Sequence, residues 1–200
     1  MLVGSGAREH AIARALDRSS QDKSIYCLAS NMNPGIADLC SEITIDNFND
    51  PEIVSRYAIE IGANMAIIGP ESPLEEGVAD DLWNNGIKVV GPKKPLAQIE
   101  TSKAFARDLL TEYNIPACPK YKNFSSLDGV EEFLIELKEN YVVKYDGLAG
   151  GKGVRVSGDH LNSHEEALVY CQKLVETGGM FVIEEKLIGQ EFSLMSFCDG

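Results

Sequence analysis

The stretch Lys144-Tyr-Asp-Gly-Leu-Ala-Gly-Gly-Lys152-Gly153 sets two lysines around a loop with glycine at 147, 150, 151 and 153. The segments on either side, residues 141–144 and 154–157, are rich in β-branched and aromatic residues, so the loop reads as the tip of a β-hairpin. Glycines at such a tip let the backbone reach positive φ and turn several N–H groups toward one point. With Lys144 and Lys152 beside them, the result is a cationic, donor-rich flap suited to an anionic polyphosphate. A Walker A loop does not fit. That motif has four residues between Gly and Gly-Lys, then Ser or Thr, and it opens a helix. Here three residues separate Gly147 from Gly151, Gly153 follows Lys152, and a strand comes next. A glycine-rich surface hairpin with solvated lysines is the plain alternative; the glycine density favours phosphate.

Three further loops carry chemistry-bearing residues. Gly4-Ser5-Gly6-Ala7-Arg8-Glu9 follows a short apolar stub and opens a helix, as a dinucleotide fingerprint would, but Glu9 stands at the third glycine. The second strand ends in Ala29-Ser30-Asn31, without the acid that holds a ribose in NAD enzymes. The motif alone fits either a phosphate at a helix N-terminus or a tight strand-to-helix turn. Gly69-Pro70-Glu71-Ser72-Pro73 and the 31–35 loop, with Asn33 and Gly35, both follow strands, where open α/β sheets bind ligands. Each is equally readable as a stiff turn. Residues 183–187 and 191–195 read as two strands joined at Ile188-Gly189. That edge could offer backbone groups to an adenine and a carboxylate to ribose hydroxyls, or be a charged surface hairpin. His10, His160 and His164 have no metal-ligand spacing.

The elements that must position these loops fall into two rhythms. Over the first ninety residues short apolar strands alternate with helices: strands at 2–3, 25–29, 43–45, 65–68 and 89–90, helices at 8–16, 50–61 and up to Asn85. This implies a parallel sheet covered on both faces. Beyond Gly91-Pro92 a helix is expected over 102–113. Strands follow at 121–124, 141–144, 154–156 and 181–184, interleaved with helices over 127–139 and 164–176, in an α+β unit. The net charge of −13 argues against a general nucleic-acid surface. No apolar run is long enough to span a bilayer, and the N-terminus becomes charged too early for a signal peptide. Five widely spaced cysteines, without a C-x-x-C pair, read as reduced, mostly buried thiols of a cytoplasmic protein.

Taken in order, these motifs resemble one family. Gly4 to His10, Gly69 to Leu74, Gly91-Pro92, Gln98 to Phe105, Lys144 to Val154, Glu184-Glu185, Glu191-Phe-Ser and Asp199-Gly200 match the N-terminal half of the phosphoribosylamine–glycine ligases, ATP-grasp enzymes of purine biosynthesis. The resemblance implies a Rossmann-like preATP-grasp domain over residues 1–91, a hinge with the first ATP-grasp helix over 92–115, and an ATP-clamping lid over 116–187. Residues 188–200 would start the remaining ATP-grasp sheet, so the chain would end inside that domain. It implies that Lys103, Lys144, Asp146, Gly147, Leu148, Ala149, Gly150, Gly151, Lys152 and Gly153 meet the ATP phosphates. Glu184, Glu185 and Leu187 would meet adenine, and Glu191 the ribose. Gly4, Ser5, Gly6, Arg8, Glu9, His10, Asn33, Gly35, Gly69, Pro70, Glu71 and Pro73 would face 5-phosphoribosylamine. Glycine and ATP are the other expected substrates, with Mg²⁺ or Mn²⁺ held by ligands beyond Gly200. The 200-residue chain alone is expected to be inactive and monomeric. Ala7, Gly150 and Tyr145 depart from the family pattern, and the opening strand is short. A non-catalytic nucleotide-binding fragment and another ATP-grasp carboxylate–amine ligase are the alternatives; an NAD module ranks last.

Overall fold

The computed structural model describes residues 1–194, which divide into a unit Met1–Ser102 and a second beginning at Lys103. The first unit holds five parallel strands: β1 (Leu2–Val3), β2 (Tyr26–Ala29), β3 (Glu42–Ile45), β4 (Met65–Ile68) and β5 (Lys88–Val90), in the order β3-β2-β1-β4-β5. Its helices are α1 (Ala7–Asp17), α2 (Pro34–Ala37), α3 (Pro51–Glu60), α4 (Ser72–Glu76), α5 (Val78–Asn84) and α6 (Lys94–Thr101). The two residues of β1 explain why so short a strand holds the centre. Leu2 packs with Ala13, Cys27 and Ile36 on one face, while Val3 packs with Val54, Ala58 and Leu82 on the other. Both are fully buried, each contributing roughly 1.5–3 kcal/mol. Side chains alternate faces, so a strand covered on both sides reads as continuously apolar.

The second unit holds α7 (Lys103–Glu112), β6 (Tyr121–Phe124), α8 (Val130–Leu137), β7 (Tyr141–Tyr145), β8 (Val154–Val156), α9 (His164–Glu176) and β9 (Phe181–Glu185). Its strands pair antiparallel in the order β6-β9-β7-β8. Helices α8 and α9 share a core with Phe124, Tyr141, Val143, Phe181 and Ile183 on one face. The residues between, Val142 and Lys144 on β7 and Val182 and Glu184 on β9, point the other way. Helix α7 lies against that second face at β6 and β9. Asp108 accepts from Tyr121 Oη at 2.7 Å and from Asn123 Nδ2 at 3.0 Å, and Arg107 donates to Glu184. Among the described residues the β7–β8 side of that face borders a cavity.

The expected hairpin around the glycine loop forms, with Val142 opposite Val156 and Lys144 opposite Val154. Asp50 caps α3 from its side chain with Pro51 in the first turn, and Gly86 follows α5 at φ +76°. Several expectations need correction. The 31–35 loop contains the start of α2, because Asn33 caps it with Pro34 behind. The helix expected to run to Asn85 is broken into α4 and α5 at Gly77, whose φ of +91° no continuous helix accommodates. The helix expected over 127–139 shortens to α8, between Gly129 at φ +75° and Lys138 at φ +59°. Helix α6 was not foreseen: it falls in the stretch read as a hinge, and its Pro95 sits in the first turn, where proline is tolerated. The second strand expected at 191–195 is absent at Glu191–Leu194; Met195 lies outside the described residues. Because β9 is paired on both sides, its continuation has no free edge to return on. For the same reason β9 is not an edge strand. Cys27 and Cys171 are buried, while Cys40 and Cys118 are half-buried; all four are free, and Cys198 lies outside the described residues. Burial pushes the Cys27 and Cys171 thiols up to about 12. No helix among the described residues is long and apolar enough to cross a membrane.

Candidate functional site

On the second unit the open face of the sheet forms the wall of a cavity of about 520 Å³. Strand period and register together account for its polar lining. Lys144 and Glu184 project from the same face of neighbouring strands, and the pairing of Val142 with Glu184 sets them diagonally across from one another. Arg107 reaches the same carboxylate from α7: Nε donates to Oε2 at 2.7 Å and Nη2 to Oε1 at 3.2 Å. Lys144 Nζ forms an ion pair with Oε1. Glu184 is only 4% exposed. Burial alone would raise its pKa, but the hydrogen bonds from Arg107 and Lys144 outweigh that and hold the carboxyl below its ordinary value of 4.5. Two cations around one carboxylate leave this cluster with a formal charge of +1. Glu185, Leu187 and Glu191 also line the cavity, beside Val154, Val156 and Lys186.

The glycine loop hangs from the same strands. Tyr145 N–H donates to Gly153 O at 2.8 Å, closing its base, and Lys152 N–H donates to Ala149 O at 2.9 Å, closing a turn within it. Gly147, Gly150 and Gly151 all have positive φ. A Cβ on Gly147 would sit 2.8 Å from the Tyr145 ring, so Tyr145 packs directly on the loop's first glycine. Asp146 ties the loop to α7. Its Oδ1 accepts from the backbone N–H of Lys103 at 2.6 Å and of Ala104 at 3.1 Å, capping the helix from 43 residues away. Lys103 Nζ donates to Gly147 O at 2.9 Å. Lys103 and Arg107 lie four residues apart on one helical face, one serving the loop and the other the cavity wall. Lys152 is exposed, and Leu148 and Ala149 are half-buried within the loop.

On the first unit the loops after β1, β2 and β4 share one rim. The chain leaves β1 toward β2 on one side and later returns to β4 on the other, which makes the β1–β4 crevice a topological switch point. A buried carboxylate organises this rim. Glu9 is 4% exposed, and its Oε2 accepts from Gly6 N–H, the reach-back half of a capping box. A Cβ on Gly69 would lie 2.1 Å from Glu9 Oε1, and one on Gly6 would lie 2.8 Å from Oε2. The glycines therefore make room for the protein's own carboxylate. Gly4 abuts Pro70, and Gly35 abuts the His10 ring. Asn33 accepts from Gly35 N–H at 3.0 Å and donates Nδ2 to Ser5 O at 2.9 Å, joining two loops. Arg8 donates to Glu71 at 2.9 Å. Burial tends to raise the Glu71 carboxyl, but a hydrogen bond from its own backbone N–H, together with Arg8, holds it below its ordinary value. Pro73 is buried beneath.

The structure thus gathers Lys144, Glu184, Glu185, Leu187 and Glu191 around one cavity, and Gly4 to His10, Asn33, Gly35 and Gly69 to Pro73 around one rim. Lys103 and Asp146 meet at the base of the glycine loop and are not among the residues lining the cavity. Sequence reasoning missed Arg107; its four-residue offset from Lys103 was the available signal. A larger hollow of about 830 Å³, near Lys138, Ser157 and His164, touches the 183–187 segment at Lys186 and contains none of the candidate site residues. Among the described residues no cluster of three or more His, Cys, Asp or Glu side chains could hold a metal ion.

Comparison with known proteins gives this geometry a context. The family model described as the phosphoribosylglycinamide synthetase N domain matches residues 1–100, and that of the ATP-grasp (A) domain matches residues 101–200. Phosphoribosylamine–glycine ligase of Methanosarcina barkeri is 45% identical over the whole chain, which covers 46% of that relative. The protein of the same name from Methanocaldococcus jannaschii is 47% identical, with the whole chain again covering 46%. The chain therefore spans about half the length of the curated relatives it matches. Among solved structures, phosphoribosylamine–glycine ligase of Thermotoga maritima superposes with a TM-score of 0.72 at 25% identity, covering 94% of this chain and 44% of that one. N5-carboxyaminoimidazole synthetase of Staphylococcus aureus, complexed with ADP, shares the fold with a TM-score of 0.68 at 12% identity, covering 92% of this chain and 45% of that one.

Proposed function

This chain belongs to the phosphoribosylglycinamide synthetase family, and we propose that it forms the nucleotide-clamping part of an enzyme that joins glycine to 5-phosphoribosylamine. The overall reaction is ATP + glycine + 5-phosphoribosylamine → ADP + phosphate + glycinamide ribonucleotide. The glycine carboxylate attacks the γ-phosphoryl group and expels ADP, giving glycyl phosphate. The sugar amine then captures the acyl group, losing a proton and expelling phosphate. Phosphoryl transfer of this kind rests on positioning and charge neutralisation, so a protein nucleophile is not required.

One observation carries the reading. The residues named from separate motifs as nucleotide contacts, Lys144, Glu184, Glu185, Leu187 and Glu191, line a single cavity beside the glycine loop. In this reading adenine lies along the Glu184–Leu187 segment, with Glu191 toward the ribose. Lys144 meets the phosphates, and Lys103 and the 146–153 loop close over them. The loops at the β1, β2 and β4 ends take the phosphoribosylamine, with Arg8 as the cation of that rim and Glu9 as the prop beneath it. The described residues offer a divalent metal no ligand cluster.

Isothermal titration of the intact protein with a non-hydrolysable ATP analogue, AMP-PNP, tests the binding part. Saturable 1:1 binding is expected; no heat up to millimolar analogue defeats it. ADP release that requires glycine and 5-phosphoribosylamine together is the expected signature of the reaction. Equal release with the sugar amine omitted would refute that substrate assignment.

A further inference from the structure

Lys144 carries a conflict that its ion pair makes visible. An ammonium that is to meet a phosphate is already engaged by a carboxylate that is 4% exposed. If Lys144 turned away and Glu184 had no other partner, a buried negative charge would be left unpaired, a state proteins strongly avoid. Arg107 removes that obstacle. It holds Glu184 through both oxygens, with Nε at 2.7 Å and Nη2 at 3.2 Å, a two-point contact that stays complete when Lys144 leaves. It also sets the charge. Lys144 and Glu184 alone form a neutral pair, whereas adding Arg107 gives this three-residue cluster one net positive charge and offsets the other carboxylates of the lining, Glu185 and Glu191, together with Lys186.

We propose that Arg107 is a positioning residue for phosphate binding: by keeping Glu184 satisfied, it frees Lys144 to move to the nucleotide's phosphates. This rests on the nucleotide reading of the cavity and assigns it a residue that the motifs did not supply. Three features support it. Arg107 lines the same cavity as Lys144 and Glu184. Its guanidinium is always charged, and its pKa is raised further by the hydrogen bonds it donates to the Glu184 carboxylate. It also stands one helical turn from Lys103, so α7 carries both the loop's cation and the wall's.

The discriminating quantity is the preference for a nucleotide with phosphates over one without. AMP-PNP and adenosine are titrated against the intact wild-type protein and against Arg107→Met, Arg107→Gln and Arg107→Lys. Loss of the guanidinium should weaken AMP-PNP by about tenfold or more, the scale of a charged hydrogen bond, and leave adenosine within about twofold. Arg107→Lys keeps the charge and should restore most of the preference. A variant that weakens both ligands equally marks Arg107 as merely structural and overturns the proposal. So does an unchanged AMP-PNP affinity in Arg107→Met, or in Arg107→Gln where the methionine variant fails to fold by circular dichroism. If wild type binds neither ligand, the nucleotide reading itself fails; if wild type binds both and Arg107→Met retains the full preference, only the role of Arg107 fails.

Discussion

Lys144 is paired with a buried carboxylate, and in the proposed reading that one ammonium also decides how tightly the cavity holds a phosphate. Lys144→Ala should cost the charged contact to phosphate, roughly 1.5–3 kcal/mol or about 10- to 100-fold in AMP-PNP affinity. The fold should survive, because Arg107 still satisfies Glu184. Titration calorimetry reads the loss; an unchanged affinity would remove Lys144 from the site. Glu184 makes a second prediction. Its folded pKa lies below 4.5, so the ionised carboxylate stabilises the fold at all pH values above that and loses the contribution as pH falls through the lower folded value. Glu184→Gln should therefore be less stable than wild type by about 2 kcal/mol at neutral pH. The two proteins should converge in denaturant melts as pH drops below 4.5. A gap that stays constant into acid would show that the carboxylate's charge is not what matters.

Elements explain what could and could not be read from residue types. The hairpin around 146–153 was legible because β-branched flanks and a glycine tip are both local signals. The strands of the first unit were legible because both faces of the sheet are covered, so they appear as plain apolar runs. Arg107 and Glu9 were not legible as what they are, since each acts through a partner brought in by the fold: Glu184 from 77 residues away, and Gly69 from the end of β4. The failed strand at 191–194 has the same cause. Nothing in the residues after Glu185 says that β9 will be enclosed between β6 and β7. The 146–153 loop and α7 are coupled through Asp146, so Asp146→Ala should cost about 1 kcal/mol as a lost helix cap. It should also speed amide exchange at residues 103–106; unchanged exchange there would contradict the cap. On the first unit, Gly69→Ala drives a Cβ into the Glu9 carboxylate. It should lower stability by more than Glu9→Ala/Gly69→Ala does relative to Glu9→Ala, with a coupling of about 0.5–3 kcal/mol. Strict additivity in thermal melts would show that Glu9 does not fill that space.

For the molecule as a whole, the acidic composition and the cationic sites are reconciled by locality. A chain of net charge −13 nevertheless places Arg107 and Lys144 on one cavity wall, Lys152 on the adjoining loop and Lys103 at the start of α7 beneath it. Partial burial of Arg107 and Lys144 around Glu184 makes those few charges count for more locally than the distant acidic surface. Its two units carry separate devices: a parallel sheet whose rim is propped by Glu9, and an antiparallel sheet whose open face carries the arginine–glutamate–lysine cluster. Hydrogen–deuterium exchange of the intact protein with and without AMP-PNP tests the account most directly. It predicts slowed exchange concentrated at residues 142–156 and 184–191 when the analogue is bound. Binding that leaves those two segments unprotected, or protects the β1–β2–β4 rim in their place, would contradict it.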